Sequence, residues 1–148
     1  MPTLADAATR DAIIARIERL TPAHTRVWGK MTIAQMMAHL SDGMRMAYGD
    51  LPCAPKKGWL IKTPLVKWLA IDKLKWPQGT PTAPELLART SEPWEEERAQ
   101  LIALVRRFER EATRPSWPIH PAFGRLSGAQ SGRLAWKHLN HHLTQFGG

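Results

Sequence analysis

Apolar residues recur three and four apart along almost all of this 148-residue chain, and no segment alternates with the period of two that a half-buried strand requires. Such a chain buries its apolar stripes by packing helix on helix, so the predicted fold class is all-α. A first helix is predicted over residues 8–20, with Ile13, Ile14, Ile17 and Leu20 on one side, and Thr21-Pro22 ends it. Thr32-Ile33-Ala34-Gln35 reads as a capping box, in which a threonine cap and a glutamine three residues on satisfy two orphan amides. The helix it opens carries Ile33, Met36, Met37, Leu40 and Met44 as its apolar stripe, with His39 at the edge.

Pro52 and Pro55 break the pattern, and residues 58–76 then mix Trp59, Leu60, Leu65 and Trp68 with Lys62, Lys67, Lys73 and Lys75. Pro64 divides that segment into a short lead-in and a helix of about ten residues. Residues 76–93 contain Pro77, Gly79, Pro81, Pro84 and Pro93, which forbid a long helix and predict an extended linker on the surface. The next long helix is predicted over residues 94–112, with Leu101, Leu104, Val105 and Phe108 inward. Glu95, Glu96 and Glu97 at its start and Arg106, Arg107 and Arg110 near its end complement the helix dipole. After a loop containing His120, a second capping box, Ser127-Gly128-Ala129-Gln130, starts a last helix that reaches about Phe146. Four long helices predict a four-helix bundle, with an extra short helix and a Pro-rich linker between the second and third. Residues 1–148 are expected to form one domain.

No run of apolar residues is long enough to span a membrane, and Asp6, Arg10 and Asp11 interrupt the N-terminus before a signal-peptide core can form. The single cysteine, Cys53, makes no internal disulfide and matches no ligand spacing. The chain reads as cytoplasmic. Its net charge of +8 favours an anionic small-molecule substrate or partner, whereas the spread of arginines and lysines along the chain argues against a nucleic-acid site. Pairing into a homodimer through exposed helix faces is a further expectation.

The last helix carries Lys137-His138-Leu139-Asn140-His141-His142-Leu143-Thr144-Gln145-Phe146. Residues three and four apart share a helix face, so His138, His141, His142 and Gln145 line one stripe beside the apolar arc of Trp136, Leu139, Leu143 and Phe146. Imidazoles at i and i+4 make a helical half-site for zinc. A histidine-rich solvated tail, or histidines capping the last carbonyls, is the competing reading of the run, and an ordinary packed histidine is the competing reading of His39. Leu139 stands where a zincin has its glutamate, and the last helix has no acidic residue for a di-iron site.

The pattern Trp28-Gly29-Lys30-Met31-Thr32 leading to Gln35-Met36-Met37-Ala38-His39-Leu40, the loop His120-Pro121-Ala122-Phe123-Gly124, and the terminal His138, His141, His142, Gln145 and Phe146 together resemble an uncharacterised family within the DinB/YfiT-like superfamily. The resemblance implies a four-helix bundle of up-down-down-up topology. It also implies a metal held by one histidine of the second helix and a His-x-x-x-His pair of the fourth. Carried over by position, these are His39, His138 and His142, with His141 and Gln145 as polar neighbours of the pair. Because the superfamily contains thiol-dependent transferases and isomerases, a low-molecular-weight thiol is an implied co-reactant.

Three neutral imidazoles leave an ion its full charge and an open position, at which water or a thiol is acidified. Imidazole suits Zn or Ni first, and Fe or Cu as well. Two residues are candidates for acid–base work. Asp42 lies three residues after His39 and reads either as a solvated residue near the helix end or as an orienting partner of His39. His120 reads either as a group overhanging the site or as one that fixes its own loop. The alternative to a hydrolase-like or transferase enzyme is a non-enzymatic bundle that binds a metal, or that docks on an anionic surface or partner through residues 56–76, whose competing reading is aliphatics that close the bundle with lysines extending to solvent.

Overall fold

The computed structural model describes residues 1–79 and 82–148. It is all-helical, with five α-helices and no strand among the described residues. They are α1 (Ala7–Arg19), α2 (Ile33–Tyr48), α3 (Pro64–Trp68), α4 (Trp94–Glu111) and α5 (Gly128–Gln145). The predicted boundaries agree within a residue or two because the ends are written locally. Asp6 caps α1, accepting from the Thr9 amide, and both capping boxes form.

Helices α1 and α2 each pack against both α4 and α5. Ile13, Ile17, Met36, Met37, Leu40, Leu101, Val105, Phe108, Leu139 and Leu143 meet in the resulting core. Burying a side chain of this size stabilises the fold by about 1.5–3 kcal/mol each, before the entropy of ordering it. Leu4 joins this core, anchored by its amide to the Gly132 carbonyl at 3.2 Å.

The ten-residue helix expected after Pro64 is present in two parts: α3 runs directly into a π-helical turn, Leu69–Lys73. Ile71 from that turn forms a second, smaller core with Phe123 and Leu134. The extended surface linker is corrected by the structure. Within it, Pro84–Leu87 is a 3₁₀ turn that buries Ala83 and Leu86 against α2. Pro81, one of the linker prolines, lies outside the described residues. Proline spacing excludes a long helix but says nothing of tertiary docking, and here Arg89 supplies the docking through ion pairs described below. No helix among the described residues is long and apolar enough to cross a membrane.

Candidate metal centre

His39 comes from the middle of α2, and His138 and His142 from successive turns of α5, where the two helices pack together. His39 Nε2 lies 2.9 Å from His138 Nε2 and 3.1 Å from His142 Nε2. One ligand atom from each residue falls within 4.8 Å of the others. The three rings stand nearly perpendicular to one another, with interplanar angles of 90°, 76° and 81°. Two nitrogens bound to one ion at ~2.0–2.1 Å stand about 2.9–3.4 Å apart for bond angles between about 90° and tetrahedral. The observed spacings fall in that interval, so the donor set fits a metal ion.

The far side of two of the rings fixes their tautomers. His39 Nδ1 faces the Leu86 carbonyl at 3.3 Å, and a carbonyl only accepts, so Nδ1 carries the proton. Gln145 Nε2 donates to the Trp28 carbonyl at 2.9 Å, which turns its Oε1 toward His142 Nδ1 at 2.9 Å and makes that nitrogen a donor as well. Both Nε2 atoms are therefore unprotonated and face each other lone pair to lone pair. Neither of these two neutral rings can donate to the other, whereas a shared cation satisfies both lone pairs.

Over residues 5–147 the chain matches the model of a family described as a protein of unknown function, DUF1569. The chain belongs to the DUF1569 family. No curated protein and no solved structure matches it.

In this DUF1569 protein the electrostatics keep the three imidazoles neutral. Burial pushes His142 down to about 3, with the His39 charge adding to the effect. Burial also holds His138 well below its ordinary value, followed by repulsion from His39 and His142. His39 is lowered by burial too, opposed by its bond to the Leu86 carbonyl and by the Asp42 charge. Neutral imidazole is the form that ligates. An open depression of about 280 Å³, lined by Lys30, Met31, Gln35, Leu86, Leu87 and Arg89, borders His39.

The other sequence candidates are placed as follows. Gln145 and His142 are in direct contact, whereas His141 packs edge-on against His142 and between Trp28 (4.8 Å) and Trp76 (6.1 Å). Asp42 is not solvated; it is buried and ion-paired with Arg45 at 2.6 Å and Arg89 at 3.2 Å. Its oxygens bond those arginines rather than the His39 ring, whose Nδ1 is taken by Leu86. His120 Nδ1 accepts from the Ala122 and Phe123 amides, and its backbone closes a tight turn with Gly124 in both directions. Burial lowers His120 to about 4, with Lys56 contributing. Cys53 is partly buried and is not one of the three clustered ligand residues.

Sequence reasoning missed four contributors. Gly43 lies against His138: a Cβ built there meets His138 Cε1 at 2.8 Å. Its position four residues after His39 is a signal that could have found it. Gly29 has φ +89° and would place a Cβ 2.1 Å from Gln145 Nε2, so the Trp28 carbonyl reaches that amide only because residue 29 is glycine. Trp76 packs beside His138. The Leu86 carbonyl left no signal, because every residue has one.

Proposed function

We propose that His39, His138 and His142 hold one divalent transition-metal ion through their Nε2 atoms, and that the protein is a metal-dependent transferase or hydrolase acting on a small, anionic substrate. The two opposed Nε2 lone pairs of His39 and His142, 3.1 Å apart with both Nδ1 atoms committed as donors, carry this reading. When bound, such an ion supplies Lewis acidity at an open position and acidifies water or a low-molecular-weight thiol. The chain's own residues do the rest. Leu86 and Gln145 orient the ligand rings, and Trp28, His141 and Trp76 wall the α5 side. Lys30 brings positive charge to the depression beside His39, which favours an anionic substrate.

The same observations support membership of the DinB/YfiT-like superfamily. Its one-plus-two histidine pattern corresponds to His39 with His138 and His142, and the packing of α1 and α2 on both α4 and α5 suits a single up-down-down-up four-helix bundle. A non-enzymatic metal-binding bundle is the second reading, favoured by the fact that Asp42 and His120 are engaged in ion pairs and turn hydrogen bonds.

Elemental analysis of protein purified without a histidine tag tests the metal centre. About one equivalent of Zn or Ni per chain is expected, with near-complete loss in His138→Ala and His142→Ala that remain helical by circular dichroism. Wild-type metal content in both variants discards the proposal. Turnover of thiol-transfer or ester substrates by metal-loaded protein, abolished in His142→Ala, separates the enzyme from the passive bundle.

A further inference from the structure

We infer that residues 56–76 form a docking face for an anionic lipid surface, independently of the metal centre. Six of the chain's eight lysines lie in this segment, and it contains no arginine. The outward side is apolar as well as basic: Trp59 is 73% exposed, Leu60 58%, Leu65 65%, Trp68 45% and Leu74 56%. On α3, Leu65 and Trp68 are three residues apart and share a face. Large apolar side chains thus stand in water beside the lysines, although the Lys73 ammonium lies over the Trp68 ring and Lys67 donates to the Arg125 carbonyl.

The segment already has an inner side. Ile71 is fully buried against Phe123 and Leu134, with Ile61, Ala70 and Trp76 packed around it. Lys137 reaches in from α5 and donates its ammonium hydrogens to the carbonyls of Ala70, Ile71 and Leu74. Trp76 Nε1 donates to the Ala70 carbonyl at 3.1 Å. Asp72, the one acidic residue of the segment, is ion-paired with Arg133. The fold thus holds the π-helical turn from within, neutralises its only carboxylate, and leaves Trp59, Leu60, Leu65 and Leu74 outward, with Trp68 half exposed and the Lys73 ammonium 5.2 Å from its ring.

The composition selects the occupant. Protein–protein interfaces are depleted in lysine and enriched in arginine. Tryptophan with lysine is instead the pairing of an interfacial membrane segment, in which indoles sit at the headgroup level and lysine stems carry the charge to the phosphates. Charge complementarity then requires anionic headgroups, each basic residue near such a surface strengthening binding by about fivefold.

Co-sedimentation of the full chain with phosphatidylcholine vesicles, with and without phosphatidylglycerol, tests the inference. Pelleting only with the anionic vesicles is expected, together with a blue shift of the indole emission. The double variant Trp59→Ala/Trp68→Ala should bind about tenfold more weakly or less, since insertion of the indoles is removed. Lys57→Gln/Lys62→Gln should weaken binding without removing the blue shift at saturation. Circular dichroism confirms that both exposed-face variants remain folded. Absence of pelleting, or equal pelleting with neutral vesicles, overturns the inference. So does wild-type affinity in the double tryptophan variant, which would reduce the effect to adsorption by net charge. Binding to polyglutamate but to neither vesicle assigns the face to an acidic polypeptide and also overturns it.

Discussion

Gly43 and His138 show how closely one missing side chain is tied to the centre. A methyl group at position 43 would meet the His138 ring at 2.8 Å, and the ring must turn to relieve it. The same change favours the α2 helix by up to about 1 kcal/mol, because alanine outranks glycine in a helix interior. Gly43→Ala is therefore expected to leave thermal stability unchanged or raised while metal affinity falls about 10–100-fold, as when a supporting contact of a ligand is lost. Competition with a chromophoric chelator measures the affinity, and a melting curve the stability. Gln145 acts on the opposite ring. Gln145→Leu should cost metal affinity by a similar factor of about 10–100, because His142 Nδ1 then loses the acceptor that fixes its tautomer.

Between elements, the decisive group is Glu97 at the start of α4, a residue 1% exposed. Its carboxylate accepts from Ser41 on α2 at 2.7 Å, from both Arg89 terminal nitrogens at 2.7 and 2.9 Å, and from the Glu92 amide at 3.0 Å. Burial alone would raise its pKa, but the bonds from Arg89, Ser41 and Glu92 outweigh it and hold the carboxyl below its ordinary range. Arg89 also spans to Asp42, so two buried carboxylates share one guanidinium. The segment carrying Arg89 also carries Leu86, whose carbonyl orients His39. Arg89→Ala is expected to destabilise the fold by about 3–5 kcal/mol, because it leaves buried charge unpaired. The loss should be accompanied by weaker metal binding. Urea unfolding and chelator competition read the two effects. From sequence, Glu97 was legible only as a dipole-complementing residue of the first turn, and residues 76–93 only as proline-rich. Capping boxes and apolar periodicity act within a few residues and are visible locally. An ion pair linking α2, the 3₁₀ turn and α4 depends on distances that only the folded chain sets.

For the molecule as a whole, buried neutral histidines give stability a defined pH dependence. Burial takes His142 from 6.5 to about 3 and His120 from 6.5 to about 4. Between those values and 6.5 the unfolded chain binds more protons than the folded one, so stability rises with pH. It is fully present above about 6.5 and is lost as pH falls toward 4 and then 3. In chelator-treated protein the unfolding free energy from urea titration should fall from pH 7 to pH 5 by roughly 2 kcal/mol per histidine. A His120→Gln variant should show a shallower slope, and an unchanged slope would show that the turn histidine does not take part. Added metal that binds only the folded state should raise the midpoint in proportion to the logarithm of its concentration.

The sequence alone determined the helical class, the four long helices, the capping boxes of α2 and α5, and the histidine stripe of α5, because each depends on spacing within one element. His39 could be named only through resemblance to a family, since nothing local tells a ligand from a packed imidazole. The tertiary structure decided that α2 faces α5, that Leu86 and Gln145 turn two lone pairs onto each other, and that the 3₁₀ turn Pro84–Leu87 packs against α2. Convergence is a property of inter-helix distance and side-chain orientation, which packing alone fixes.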